Sequence, residues 1–406
     1  MSLLSVEDAT AQLLDGAEAL ASESVGLDEA LGRVLAADLA ATRTQPPFAA
    51  SAMDGYALRA GDGARQGAQL TVIGTSQAGK RFEGSLGPGE AVRIFTGAPV
   101  PGGADAILIQ ENATRDGDIV TVTSPVTEGL HVRPAGLDFK KNERLLAGGL
   151  VLGSRAIALA ASMNHAQISV RTRPRVAILA TGDELVPPGG DPGPDQIIAS
   201  NSAGIAALVR ESGGEPVDLG IAPDDIAAIG EAVARAGDAD ILTLIGGASV
   251  GDHDLVQEAL VQRGMTLNFW RIAMRPGKPL MVGHLQAMRV LGLPGNPVSA
   301  MVCGHIFLKP LIRALLGLTP GPATQTAILG ADMAANDRRQ DYIRAALASD
   351  NGRTVATPFQ RQDSSMMATL ARADALIVRE PFAEAAPAGT PVPMIRLDDY
   401  TNGTYE

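Results

Sequence analysis

Between residues 175 and 316, short unbroken apolar runs alternate with helical patterns, and this alternation constrains the fold more than any other feature of the chain. Residues 175–181 read RVAILAT, with no polar face, as expected of a strand buried on both sides. The predicted order continues as helix 202–212, strand 216–221, helix 223–236, strand 241–245, helix 253–263, strand 289–293 and a long apolar helix from 298 to about 316. Strands alternating with helices predict right-handed βαβ units around a mostly parallel sheet. Ligands of such sheets bind beyond the carboxyl ends of the strands. The loops that follow the strands are therefore the first place to look for chemistry.

The flanks have a different texture. Residues 3–40 show helical periodicity, with Leu13, Leu14, Ala17 and Leu20 on one face, and Ser5 with Asp8 resembles a capping box. Short β-like runs follow at 69–74, 90–95, 106–110 and 119–123, and residues 146–170 return to an Ala-rich helical pattern. After a Pro/Gly break at 318–322, short runs at 325–329, 342–347, 375–378 and 391–395 read as a small β domain. The expected chain is thus multidomain α/β. A β-rich domain (44–145) is inserted into a helical region (1–43 and 146–172), followed by an α/β domain (173–320) and a C-terminal β domain (321–406).

Composition sets limits on function. Of 406 residues 46% are hydrophobic but only 3% aromatic, so the cores must be built from Ala, Val, Leu and Ile. The formal net charge is −12 and no Lys/Arg cluster forms a basic face, which argues against a nucleic-acid partner. An anion would have to be held in a local pocket. Cys303 is the only cysteine, so an intrachain disulfide and a cysteine-based zinc site are excluded, and its apolar helical setting reads as a buried small residue. The five His residues are far apart, without ligand spacing. Glu7, Asp8 and Asp15 make the first segment unlike a signal peptide, and no apolar run is expected to span a membrane. A cytoplasmic enzyme is expected.

Three loops stand out in the α/β region. Thr181, Gly182, Asp183 and Glu184 follow the first strand. Gly246, Gly247, Ala248, Ser249, Val250, Gly251 and Asp252 follow the strand ILTLI. Pro294, Gly295, Asn296, Pro297 and Ser299 lead from the last strand into the long helix. Glycines let backbone approach a ligand, and a helix start offers free N–H groups to an anion. Any one of these loops reads more readily as a plain tight turn; three expected on one sheet edge shift the balance to a phosphate- or pterin-phosphate-binding site. Arg275 and Lys278 flank a stiff Pro-Gly turn, which suits a compact oxyanion or, alternatively, a solvated hairpin. Asp252 could hold a magnesium ion, which takes carboxylates together with substrate phosphates, whereas Asp254 suits a helix cap. In the β-rich region, the segments around Asp54 and around Thr96 have no mechanism readable from spacing alone.

Taken together, SAMDGYA (51–57), TGAPVPGGADA (96–106), TGDEL (181–185), GGASVGDHD (246–254), RPGKPL (275–280) and GLPGNPVSA (292–300) strongly resemble the MoeA family, which includes the gephyrin E domain, over essentially the whole chain. The resemblance implies a molybdopterin molybdenumtransferase that acts on adenylylated molybdopterin (molybdopterin-AMP) and molybdate with Mg2+, releasing AMP. It implies a homodimer whose cleft lies between the β-rich domain of one subunit and the pterin domain of the other. Asp54, Thr96, Glu184 and Asp252 would then be catalytic, with Asp252 and Glu184 on the metal. Thr181, Gly182, Asp183, Gly247, Ser249, Gly251, Pro294, Gly295, Asn296, Pro297 and Ser299 would bind the pterin nucleotide. Arg275, Lys278, Arg339 and Ser364 would hold molybdate, with Arg133 and Asp138 matching a further polar segment. Three departures stand out: Arg275 replaces the usual Lys, Ala49 the usual Asp, and residues 338–342 read RRQDY in place of a GRTEF-type motif.

Two other functions compete. A molybdopterin adenylyltransferase would share the α/β domain but carry GGTG where this chain has GGAS, and would lack the SAMDGYA domain. A receptor scaffold would share the fold without needing the site motifs. Expected partners are the adenylyltransferase that supplies the substrate and the apoenzymes that accept the cofactor.

Overall fold

The computed structural model describes residues 3–247, 255–321 and 323–397. The chain divides into two compact units, Ser24–Val170 and Met1–Glu23 with Arg171–Glu406.

The smaller unit is built on a six-stranded sheet in the order Ala106–Ile109, Gly55–Leu58, Glu90–Ile94, Gln69–Ser76, Ile119–Val122, Ala113–Asp116. All four β runs expected here are strands. Tyr56, Leu58, Leu70, Leu108, Val120 and Val122 alternate onto one face and form its core. A second core joins Val25, Leu35, Leu152, Ile168 and Val170 to the helix Ser154–Ser162 through Ala160.

The larger unit contains the expected α/β sheet, in the order Glu215–Ala222, Arg175–Thr181, Ile241–Ile245, Met288–Leu293, Met281–Leu285, Thr266–Phe269. The first four strands are parallel and the last two antiparallel. Strands Arg175–Thr181 and Ile241–Ile245 are buried along almost their whole length, as expected of central strands covered on both faces. A second six-stranded sheet, running from Met274–Arg275 through Gln340–Asp350, Arg353–Pro358, Gln325–Leu329 and Pro391–Arg396 to Ala375–Arg379, closes on itself where Ala375–Arg379 also pairs with Gln340–Asp350.

Three expectations need correction. Residues 3–40 are not one helical run. Ser5 does cap the helix Val6–Leu14, accepting the Asp8 N–H at 3.0 Å, but Gly16 then turns left-handed (φ +61°) and Ser22–Gly26 is a strand. This helix also joins the larger unit, where Arg289 donates to the carbonyls of Leu13 and Asp15, each at 2.8 Å. Residues 146–170 hold only the nine-residue helix Ser154–Ser162, since Gln167–Arg171 is extended. Finally, the helix Pro297–Leu315 has 19 residues and is long and apolar enough to cross a membrane. It is mostly buried, packed on the helix Ser200–Glu211, so its apolarity is that of a core helix. It passes through a π segment, Gly304–Leu308, just before Pro310, which has no N–H to offer the preceding turn.

Candidate functional site

In the larger unit, the carboxyl ends of Arg175–Thr181, Ile241–Ile245 and Met288–Leu293 open into a cavity of about 790 Å³. This is an ordinary size for a small-ligand site. Its walls include Thr181, Gly182, Glu184, Gly247, Pro294, Gly295, Asn296 and Pro297, so the three post-strand loops converge as the sequence implied. Ser299 lies buried in the first turn of the helix behind them. Asp183 points to solvent, its carboxylate accepting the Asp224 N–H at 3.2 Å. Ser249, Gly251 and Asp252 lie outside the described residues.

The glycines are required by contact as well as by conformation. A Cβ on Gly247 (φ +64°) would fall 2.2 Å from Val256 Cγ2 and 3.1 Å from the Thr181 hydroxyl. A Cβ on Gly182 would fall 2.3 Å from the Glu184 carboxylate, which folds back over this turn. Backbone thus takes the space where side chains would otherwise fill the cavity floor.

Two helices begin at the cavity without a side-chain cap: Ser200–Glu211, preceded by Ala199, and Pro297–Leu315, preceded by Asn296. Asn201 Nδ2 donates to the Gly295 carbonyl at 2.7 Å and ties these two starts together. The Thr181 and Ser202 hydroxyls are buried without a partner, and both belong to the cavity lining. The start of Ser200–Glu211 and the unspent hydroxyls suit a phosphate, whereas Pro297 has no N–H and that of Val298 is taken by the Ser364 carbonyl. Sequence reasoning missed Ser200, Asn201, Ser202 and Asp224. The signal was there in a run of small polar residues opening a helix, but it follows a two-residue edge strand, Ile197–Ile198, too short to read.

Arg275 does not sit on a free hairpin. Met274–Arg275 is a short strand that pairs in parallel with Gln340–Asp341 of the second sheet. That pairing joins Arg275 to Asp341 in an ion pair and sets Arg275 Nη1 3.6 Å from Asp337 Oδ2. Arg339 lies on the other side of Asp337, with Nη2 at 3.0 Å. The side-chain and backbone hydrogen bonds from Arg339 push the Asp337 carboxyl down to about 2. Arg275 and Arg339 are therefore brought together, as expected, but through two carboxylates that cancel their charge. No motif pointed to Asp337. Lys278 is exposed and lines neither the larger cavity nor the smaller pocket walled by Arg275 and Asp341. The Ser364 backbone carbonyl accepts the Val298 N–H at 3.0 Å, which places this residue at the start of the long helix. Below the Arg275–Lys278 turn lies Cys303. Its thiol donates weakly to the Gly277 carbonyl at 3.8 Å, and burial raises its pKa, so it is a packing residue as expected.

In the smaller unit, Asp54 and Thr96 meet. The Thr96 N–H and hydroxyl donate to Asp54 Oδ1 at 2.7 and 2.8 Å. These two bonds, backbone first, hold the Asp54 carboxyl below its ordinary range. Gly55, next to Asp54, lets its strand lie close against Ala106–Ile109, because a Cβ there would strike the Leu108 carbonyl at 1.9 Å. Arg133 pairs with Ala50 at the edge of the same motif, and the Asp138 N–H donates to the Gln45 carbonyl at 3.1 Å.

Comparison with known proteins covers the chain almost end to end. Residues 4–164 match the MoeA N-terminal region (domain I and II), 177–314 a probable molybdopterin binding domain, and 326–397 the MoeA C-terminal region (domain IV). The chain is 38% identical over 336 residues to a molybdopterin molybdenumtransferase of Nostoc sp., covering 80% of this chain and 77% of that one. It is 36% identical over 379 residues to molybdopterin molybdenumtransferase 2 of Mycobacterium tuberculosis, covering 90% and 93%. The solved molybdopterin biosynthesis MoeA protein of Pyrococcus horikosii superposes with a TM-score of 0.86 at 29% identity, over 98% of this chain and 100% of that one. With all three family segments in order and more than a third of positions shared over most of its length, the chain belongs to the MoeA family.

Proposed function

We propose that this chain is a molybdopterin molybdenumtransferase that acts on adenylylated molybdopterin and molybdate, requires magnesium and releases AMP. The observation that supports it best is the cavity at the strand ends, floored by Gly182 and Gly247 and faced by two uncapped helix starts. The N–H groups at the start of Ser200–Glu211, with the Thr181 and Ser202 hydroxyls, hold the phosphates of the pterin nucleotide. Thr181, Gly182, Asp183, Gly247, Ser249, Gly251, Pro294, Gly295, Asn296, Pro297 and Ser299 are its binding residues.

The donors at the cavity fit magnesium. Glu184 and Asp224 offer hard carboxylate oxygens, and magnesium takes one or two of these along with substrate phosphates and water. Glu184 and Asp252 would hold the ion, which when bound supplies charge to the diphosphate under attack by water. Asp54 and Thr96, which fixes it, are the remaining proposed catalytic pair. Arg275 and Arg339, which Asp337 links, hold molybdate for delivery to the dithiolene, while Lys278 and Ser364 stand apart from them.

The working form is a homodimer, with Asp54 and Thr96 completing the cleft of the partner subunit. The exposed Leu31, Leu150 and Val151 of the smaller unit supply apolar surface for such a contact. The adenylyltransferase and the cofactor-accepting apoenzymes are proposed partners, and the cytoplasm the proposed location.

The test is incubation with adenylylated molybdopterin, molybdate and magnesium, with AMP and cofactor both measured. Release of AMP that magnesium chelation abolishes is expected. No AMP, or AMP without any need for magnesium, overturns the reading.

A further inference from the structure

The Asp337 carboxylate lies between two guanidinium groups. Its Oδ2 is 3.0 Å from Arg339 Nη2 and 3.6 Å from Arg275 Nη1. Its Oδ1 accepts the Arg339 backbone N–H at 2.9 Å and Nε at 3.4 Å. The second carboxylate of the group differs in kind. Asp341 is 5% exposed and belongs to the strand Gln340–Asp350, so it stays on Arg275. Asp337 belongs to no strand, and its side chain is 47% exposed. An exposed ion pair is weak and exchanges readily with another anion.

We propose that Asp337 is a resident anion mimic, occupying the place between Arg275 and Arg339 that a tetrahedral oxyanion takes, and swinging into solvent before that oxyanion binds. This rests on the reading that the two arginines hold molybdate. With Asp337 in place the four side chains sum to zero charge; with it displaced they sum to one positive charge. A dianion brings more charge than the carboxylate it replaces and wins the exchange. A monoanion such as nitrate brings no more and does not. Asp337 therefore sets the oxyanion concentration at which the site fills and filters ligands by charge.

The experiment measures molybdate binding to the full chain by calorimetry at low salt, without pterin, for the parent, Asp337→Asn, Asp337→Ser and Arg339→Ala. Both Asp337 variants are expected to bind molybdate about tenfold tighter, equivalent to about 1.4 kcal/mol. The gain shrinks at high salt, because exposed charge is screened. Nitrate binding should become measurable in the variants alone. Equal or weaker molybdate binding by both Asp337 variants overturns the proposal, because the carboxylate then organises the arginines rather than competing for them. Unchanged binding by Arg339→Ala overturns it by a separate route, since the arginines are then not the oxyanion site.

Discussion

His305 gives the larger unit a stability that depends on acid. It lies in the π segment Gly304–Leu308 of the long helix and is buried. Burial, with the charge of Lys309 beside it, pushes its pKa from 6.5 down to about 4. The folded chain thus resists a proton that the unfolded chain accepts. The neutral imidazole contributes its full stability above pH 6.5, and that contribution is lost as pH falls toward 4. Each tenfold change in proton affinity is worth about 1.4 kcal/mol, so the loss between pH 7 and 4 is about 3 kcal/mol. Other groups titrate in the same range, so the measurement must be a difference. His305→Gln keeps a polar group of similar length but takes up no proton. Urea unfolding of both proteins can be followed by fluorescence of Trp270, the only tryptophan, which packs against the α/β core of the same unit. The parent should lose about 3 kcal/mol more than the variant between pH 7 and 4. Parallel stability curves over that range would refute the argument.

Three further outcomes are expected. Gly247→Ala should weaken binding of the pterin nucleotide at least about tenfold by forcing a left-handed alanine against Val256 and Thr181, and calorimetry with the nucleotide would detect a site that is indifferent to it. Arg289→Met should cost about 2 kcal/mol by removing both donors to the end of the helix Val6–Leu14, visible as faster amide exchange in that helix; unchanged exchange would mean another contact secures it. Asp54→Ala should leave the melting temperature within a degree or so, as for a surface loop change, yet cut AMP release more than about tenfold; parallel loss of fold and activity would make the Asp54–Thr96 contact structural.

What could be read from the sequence divides along physical lines. Arg175–Thr181 and Ile241–Ile245 were legible to the residue, because a buried strand between turns leaves an almost unbroken apolar run, and the half-exposed Gln325–Leu329 was legible from the Pro/Gly break before it. The stretch 3–40 misleads because leucines at helical spacing continue past Gly16, Gly26 and Gly32, and only the turns there decide that the chain leaves the helix. The three glycine-rich loops were legible as a site because they share one edge of one sheet. Arg275 was legible as a cation but not as a strand. Its pairing with Asp341 bridges 66 positions of sequence and depends on how the second sheet closes. Asp337 carries no local signal at all, since a lone loop aspartate looks like any solvated turn.

The two proposed anion sites would solve the problem of an acidic chain in different ways. No Lys or Arg is among the described residues lining the larger cavity. A phosphate there must be met by backbone N–H groups, helix starts and hydroxyls. Such donors are fixed in direction and carry only partial charge, so they select a ligand by shape and hold it in one orientation, as a nucleotide whose reacting phosphate must face water requires. The arginine cleft works otherwise. A small oxyanion has no handle for shape recognition beyond its size and charge, and full guanidinium charges supply the attraction. Full charge also attracts every other anion, and a site left bare would stay filled with whichever was most abundant. On the proposal made above, pairing Arg275 and Arg339 with Asp337 would remove that attraction for weakly charged ions and leave it for a dianion. The strength of the charge and its neutralisation in the resting state are then two parts of one selectivity.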